Sequence, residues 1–215
     1  MRVMIPAVIL FFSSFSSCLT LDFRSGQEQG AFVMTPEDSR VFWRKAMTPE
    51  IARRYRATKK GTLCNIYVGD TLRRYFGDAV FERVFPHGVK SPHLMIREWR
   101  VNPFLERLDP ALFSLEEIQD LADRGYLILL SYYYARGSSH LAFVGHSRLT
   151  LFTVPRIGKL EGKIGSALDE PWRPIVVQAG TYAGVTSVAY ASNGWFTAGV
   201  NLYQAGTVRF YLVRG

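Results

Sequence analysis

At 215 residues, with 48% hydrophobic and 14% aromatic side chains, the chain can bury one sizeable core, and its length gives no reason for a second domain. Lysine and arginine number 26 against 18 acidic residues, a formal charge of +8 that suits work against an anionic surface. The basic residues are scattered (Arg53, Arg54, Arg56, Lys59, Lys60, then Arg73 and Arg74) rather than gathered into a stripe, which argues against nucleic acid as a partner.

The first residues, Met1 and Arg2 followed by VMIPAVILFFSSFSS up to Cys18, have the positive start, apolar run and small polar finish of a secretory signal peptide over 1–18. The apolar run is shorter than the roughly 20 residues that span a bilayer, and Pro6 interrupts it. "FSSC" at 15–18 also fits a lipoprotein signal in which Cys18 becomes a lipid anchor, although Phe15 stands where an aliphatic residue is usual. Both processing routes stay open, and both place the protein outside the cytoplasm, in the periplasm or cell envelope. Residues 19–34, with the polar "RSGQEQG", read as a tether or an entry strand, and 35–215 as a single domain.

Within that domain, "TPED" (35–38) and "TPEI" (48–51) each combine a threonine N-cap, a proline at the first helical position and an acid in the first turn. They predict helices over about 36–46 and 49–56. From Cys64, the apolar positions Ile66, Val68, Leu72, Tyr75 and Phe76 recur at helical spacing and predict an amphipathic helix to about Phe76, despite Gly69. Residues 80–112, broken by Pro86, Pro92, Pro103 and Pro110, read as loop. "SLEE" (114–117) is a capping box opening a helix closed by Gly125. The remainder reads as sheet: 126–134, 140–144, 149–154, 174–179 and 207–213 are β-branched or aromatic runs bounded by turn residues. Helices first and a mainly antiparallel sheet afterwards make the fold class α+β.

The chemistry centres on a thiol. Cys18 is lost or modified on either route, so Cys64 stands alone in an oxidising compartment where cysteines ordinarily pair. A lone buried cysteine is commonly just a small hydrophobe. At a helix start, however, the partial positive charge and free amides favour the thiolate, the form that attacks. Of the four histidines, His140 opens the strand "HLAFV" and is the candidate base; His146, in "GHSR", reads as a solvated turn residue. His87 and His93 in "PHGVKSPH" lack the further ligands that a metal site needs, so no metal is expected. Gln178 interrupts the apolar strand "PIVVQAG", and a buried glutamine there either satisfies neighbouring backbone or accepts the histidine N–H.

A cysteine at a helix start after a glycine-containing loop, a histidine opening a strand and a polar residue on a following strand resemble the papain-like NlpC-type and CHAP-type cell-wall hydrolases. The resemblance covers about 48–190 and is closest in "GTLCNIYVGDTL", "SSHLAFVG" and "PIVVQAG". It departs from the NlpC pattern around the cysteine, where Leu63 precedes and Asn65 follows. The resemblance implies a papain-like core in which Cys64 attacks a peptidoglycan amide, His140 acts as base and then acid, and Gln178 orients it, with no cofactor. It further assigns Tyr55 and Asn65 to oxyanion or substrate contacts, and peptidoglycan or another anionic envelope polymer as the partner. Tyr132, Tyr133, Tyr134, Trp172 and Trp195 are candidates to line a substrate groove. The alternatives are a papain-like enzyme acting on lipid or acyl chains, and a non-catalytic envelope-binding protein on the same scaffold.

Overall fold

The computed structural model describes residues 30–58, 63–133, 139–155, 174–180, 182–187 and 203–215. The signal-peptide and lipid-anchor expectations over 1–18, including Cys18, lie outside them. So do Tyr134, Trp172 and Trp195.

The two threonine caps act as their sequence context predicts. Thr35 accepts from the Asp38 amide at 3.1 Å and opens α1 (Pro36–Ala46), and Thr48 accepts from the Ile51 amide at 3.3 Å and opens α2 (Pro49–Tyr55). Helix α3 begins at Cys64 and runs to Val84, further than its apolar spacing suggests. It continues past a break at Gly77, whose backbone (φ 82°, ψ 169°) a residue with a Cβ rarely adopts. The chain over 80–112 is not one long loop. It completes α3 and forms α4 (Pro92–Trp99) and β1 (Leu105–Leu108). Pro92 is the first residue of α4, where a missing N–H costs nothing. Trp99 donates to the Val84 carbonyl at 3.1 Å and Asn102 to the Arg83 carbonyl at 2.7 Å, satisfying the end of α3. Ser114 and Glu117 form the full capping box of α5 (Leu115–Asp123).

The strands β2 (Ile128–Tyr133), β3 (Ser139–Val144), β4 (Phe152–Pro155), β5 (Ile175–Gln178), β6 (Tyr182–Ser187) and β7 (Val208–Val213) join β1 in one sheet of order β1-β7-β2-β3-β5-β6-β4. Every neighbouring pair is antiparallel, so the described residues form an α+β fold. Part of the expected tether also pairs: Ala31 bridges to Arg214 and Val33 to Tyr126.

Alternation along the strands divides the core. Leu129, Phe143 and Val177 face helices α1, α3 and α4 through Trp43, Tyr67, Leu72, Met95 and Trp99. Ile128, Leu130, Ala142, Val176 and Phe210 instead meet Ile118 and Leu121 of α5. Phe143 sits with its ring 5.1 Å from Trp43 and 6.0 Å from Tyr67, locking α3 onto β3. Truncating it to alanine should cost about 4 kcal/mol. That contact fixes the start of α3 against the strand that carries His140.

Candidate active site

His140 is the second residue of β3 and Gln178 the last of β5. Ala142 pairs directly with Gln178, so His140 and Gln178 are diagonal cross-strand neighbours on one face of the sheet. Their side chains meet: His140 Nε2 lies 2.7 Å from Gln178 Oε1. A glutamine oxygen only accepts, so Nε2 carries the proton and donates. The other ring nitrogen, Nδ1, is left for Cys64, whose thiol is hydrogen-bonded to the imidazole. The structure thus brings Cys64, His140 and Gln178 together in the order thiol, ring, amide.

The approach of α3 is set from outside the helix as well. After α2, Arg56 bridges to Gly180 in parallel, and the Ala57 amide donates to the Gly180 carbonyl at 2.7 Å. The chain that leads into Cys64 is therefore pinned beside the end of β5. Gly180 itself abuts the imidazole: a Cβ there would lie 3.2 Å from His140 Cε1, and its φ of 143° already disfavours a side chain. The "VQAG" turn carries that constraint in the sequence, but its role follows only from the fold.

All three groups are buried; Cys64 is wholly inaccessible, and Gln178 and His140 are 1% and 7% exposed. Burial pulls the His140 pKa down. The charge of Cys64, its hydrogen bond and that of Gln178 outweigh burial and hold the pKa above the ordinary 6.5. Coulombic coupling is mutual, so the imidazolium also favours a thiolate, which the amides at the start of α3 assist. The arrangement can therefore generate a nucleophile and return a proton from the same ring.

Comparison with known protein families, curated proteins and solved structures gave no match.

Tyr55 and Asn65 are committed to other partners. Tyr55 donates to Asp70 Oδ2 at 2.6 Å, which is six residues along α3 from Cys64, or about 9 Å of helix rise. Burial and the Asp70 bond push the Tyr55 pKa up to about 12. Asn65 donates to the Lys90 carbonyl at 2.7 Å, tying the first turn of α3 to the loop before α4. These bonds use the Tyr55 hydroxyl proton and an Asn65 amide N–H. Tyr132 is buried in the core on the α5 side rather than lining a groove, whereas Tyr133 is half-buried with its ring 5.4 Å from that of His93 and tilted 33° to it. His87 turns instead to Glu98 at 3.5 Å. Among the described residues no three histidine, cysteine or acidic side chains gather as a metal site.

His146 is not solvated. It is buried behind the end of β3, its Nδ1 accepts from the Arg148 amide at 3.1 Å, and Asp123 lies 3.7 Å away. The surrounding network was not read from the sequence. Asp123 accepts from Ser147 N at 2.7 Å and Ser147 Oγ at 2.5 Å, while Gln119 bridges Asp123, the Gly145 carbonyl and the Ile175 amide. These bonds splice α5 to both ends of the β3–β5 excursion.

Proposed function

We propose that the protein is an exported cysteine amidase or peptidase that cleaves amide bonds in peptidoglycan. The observation that carries this reading is one imidazole held by Gln178 through Nε2 and presented to a helix-start thiol on its other side. The formal charge of +8 and the signal-like first 18 residues support an anionic envelope polymer as substrate.

In the proposed reaction the Cys64 thiolate attacks the amide carbonyl carbon, and backbone N–H groups at the start of α3 donate hydrogen bonds to the oxyanion. The tetrahedral intermediate collapses as His140 Nδ1–H protonates the departing amine, leaving a thioester. Nδ1 then takes a proton from water, the resulting hydroxide displaces the thiolate, and the acid is released. Gln178 holds the ring in the tautomer that both steps need.

Incubating the unsubstituted protein and Cys64→Ala with purified peptidoglycan tests this directly. Fragments released by the unsubstituted protein alone, identified by mass, would name the bond. The complete burial of Cys64 favours a second reading, a non-catalytic envelope-binding protein whose thiol serves packing. That reading predicts equal peptidoglycan binding by both proteins and no fragments from either.

A further inference from the structure

A second polar feature lies on α3, away from the thiol. A shallow cleft with about 40 Å³ of enclosed space, half open to solvent, is framed by α2 and α3 and lined among others by Ile51, Arg54, Tyr55, Asp70, Arg74 and Tyr75. None of Cys64, His140 and Gln178 lines it. Asp70 and Arg74 are six and ten residues beyond Cys64, about 9 and 15 Å along the helix.

The four arginines beside the cleft, Arg53, Arg54, Arg73 and Arg74, divide into two kinds. Arg53 and Arg73 pair with Glu50 at 3.6 Å and Asp78 at 3.1 Å. Arg54 and Arg74, their neighbours on the cleft, make no ion pair among the described residues. Both are exposed, and both bear electrostatically on the Tyr55 hydroxyl between them. Asp70 neutralises one of the two positive charges and is itself occupied on Oδ2 by Tyr55. One net positive charge remains, which matches a monoanion, while the Asp70 carboxylate repels a dianion. The hydroxyls of Tyr55 and Tyr75 are already used, on Asp70 and on the Lys45 carbonyl at 3.4 Å. Arg54 and Arg74 lie over these rings, each guanidinium carbon 5.5 Å from the centroid of Tyr55 or Tyr75, so the rings hold the guanidinium groups at the cleft and, with Ile51, add apolar surface rather than further donors.

We propose that this cleft binds a carboxylate carried on a short apolar stem, such as the C-terminal group of a small peptide, between the guanidinium groups of Arg54 and Arg74. A guanidinium fork matches the two oxygens of a carboxylate, and the tyrosine rings cover the stem. The site is independent of the thiol chemistry, and its test does not depend on turnover.

The test titrates the full chain with N-acetyl-leucine, its uncharged analogue N-acetyl-leucinamide, and inorganic phosphate, following arginine side-chain N–H signals by NMR. Saturable shifts at Arg54 and Arg74 are expected with the acid and not with the amide. Arg54→Gln and Arg74→Gln should each weaken binding about tenfold, the loss of one charge-assisted contact. Both positions are exposed, so the fold survives these changes, and Asp70→Asn should admit phosphate. Equal responses to acid and amide, or undiminished binding in both arginine variants, would overturn the proposal. Phosphate binding the unsubstituted protein as tightly as the acid would overturn its assignment to a carboxylate.

Discussion

Two buried histidines stand at opposite ends of β3, and their surroundings drive them in opposite directions. His140 and His146 are similarly hidden, 7% and 6% exposed. Burial alone would lower both pKa values. His146 obeys: burial pulls it below 6.5, the nearby Arg148 and Arg40 add to that, and Asp123 and Glu37 only partly oppose it. His140 is held above 6.5 because Cys64 and Gln178 together overcome the cost of burial. Similar exposure at the two ends of one strand therefore does not decide a histidine's chemistry; the groups around its two nitrogens do. At one end the ring is offered an acidic thiol. At the other its Nδ1 accepts a backbone N–H, which keeps it neutral and structural.

The contrast is broken most severely by Cys64→Ala, which should abolish peptidoglycan cleavage, a loss of at least about a thousandfold, while leaving the His146 end untouched. Fragment release measured by mass spectrometry checks it. Gln178→Ala removes the oxygen that holds Nε2 and frees the ring to turn, so turnover should fall on the order of a hundredfold with substrate binding retained. A split between kcat and KM is the readout. At the other end, Asp123→Ala strips acceptors from Gln119 and Ser147 and should lower stability by about 3 kcal/mol in urea unfolding, without slowing Cys64 alkylation.

The pH dependence sharpens the comparison with smaller effects. His140, with its folded pKa raised above 6.5, contributes stability that is fully present below 6.5 and is lost as pH rises through the higher folded value. His146, with its folded pKa lowered, does the reverse: the unfolded chain binds its proton first, so stability falls as pH drops from 6.5 through the folded value. His146→Gln should flatten the acid side of a stability profile, and His140→Gln the neutral side. In Cys64→Ala the leading cause that raises the His140 pKa is gone, so an NMR titration should show it shifted down and His146 unmoved.

How far each end was legible in the sequence follows from the range of the signals. Caps are local, so Thr35, Thr48 and the Ser114–Glu117 box located their helices directly. Cys64 at a helix start, and His140 and Gln178 on strands, followed from periodicity and from a polar residue breaking an apolar run. Pro92 misled because a proline that ends one element can equally open the next, and so α4 was read as loop. Strand β1 is short and charged and β6 contains Gly184, which weakens their alternation. The Tyr55–Asp70 bond and the Asp123–Ser147 network join residues 15 and 24 apart through tertiary packing, which no local spacing encodes.

The central claim is that His140, positioned by Gln178, activates Cys64. Iodoacetamide alkylation of the native protein across the acid to neutral range, with the modified cysteine identified by mass, tests it most directly. The account predicts that Cys64 reacts faster than an ordinary thiol below neutral pH, and that His140→Ala removes that advantage, with Gln178→Ala in between. Equal rates in all three proteins, or no reaction until the chain is unfolded, would contradict it.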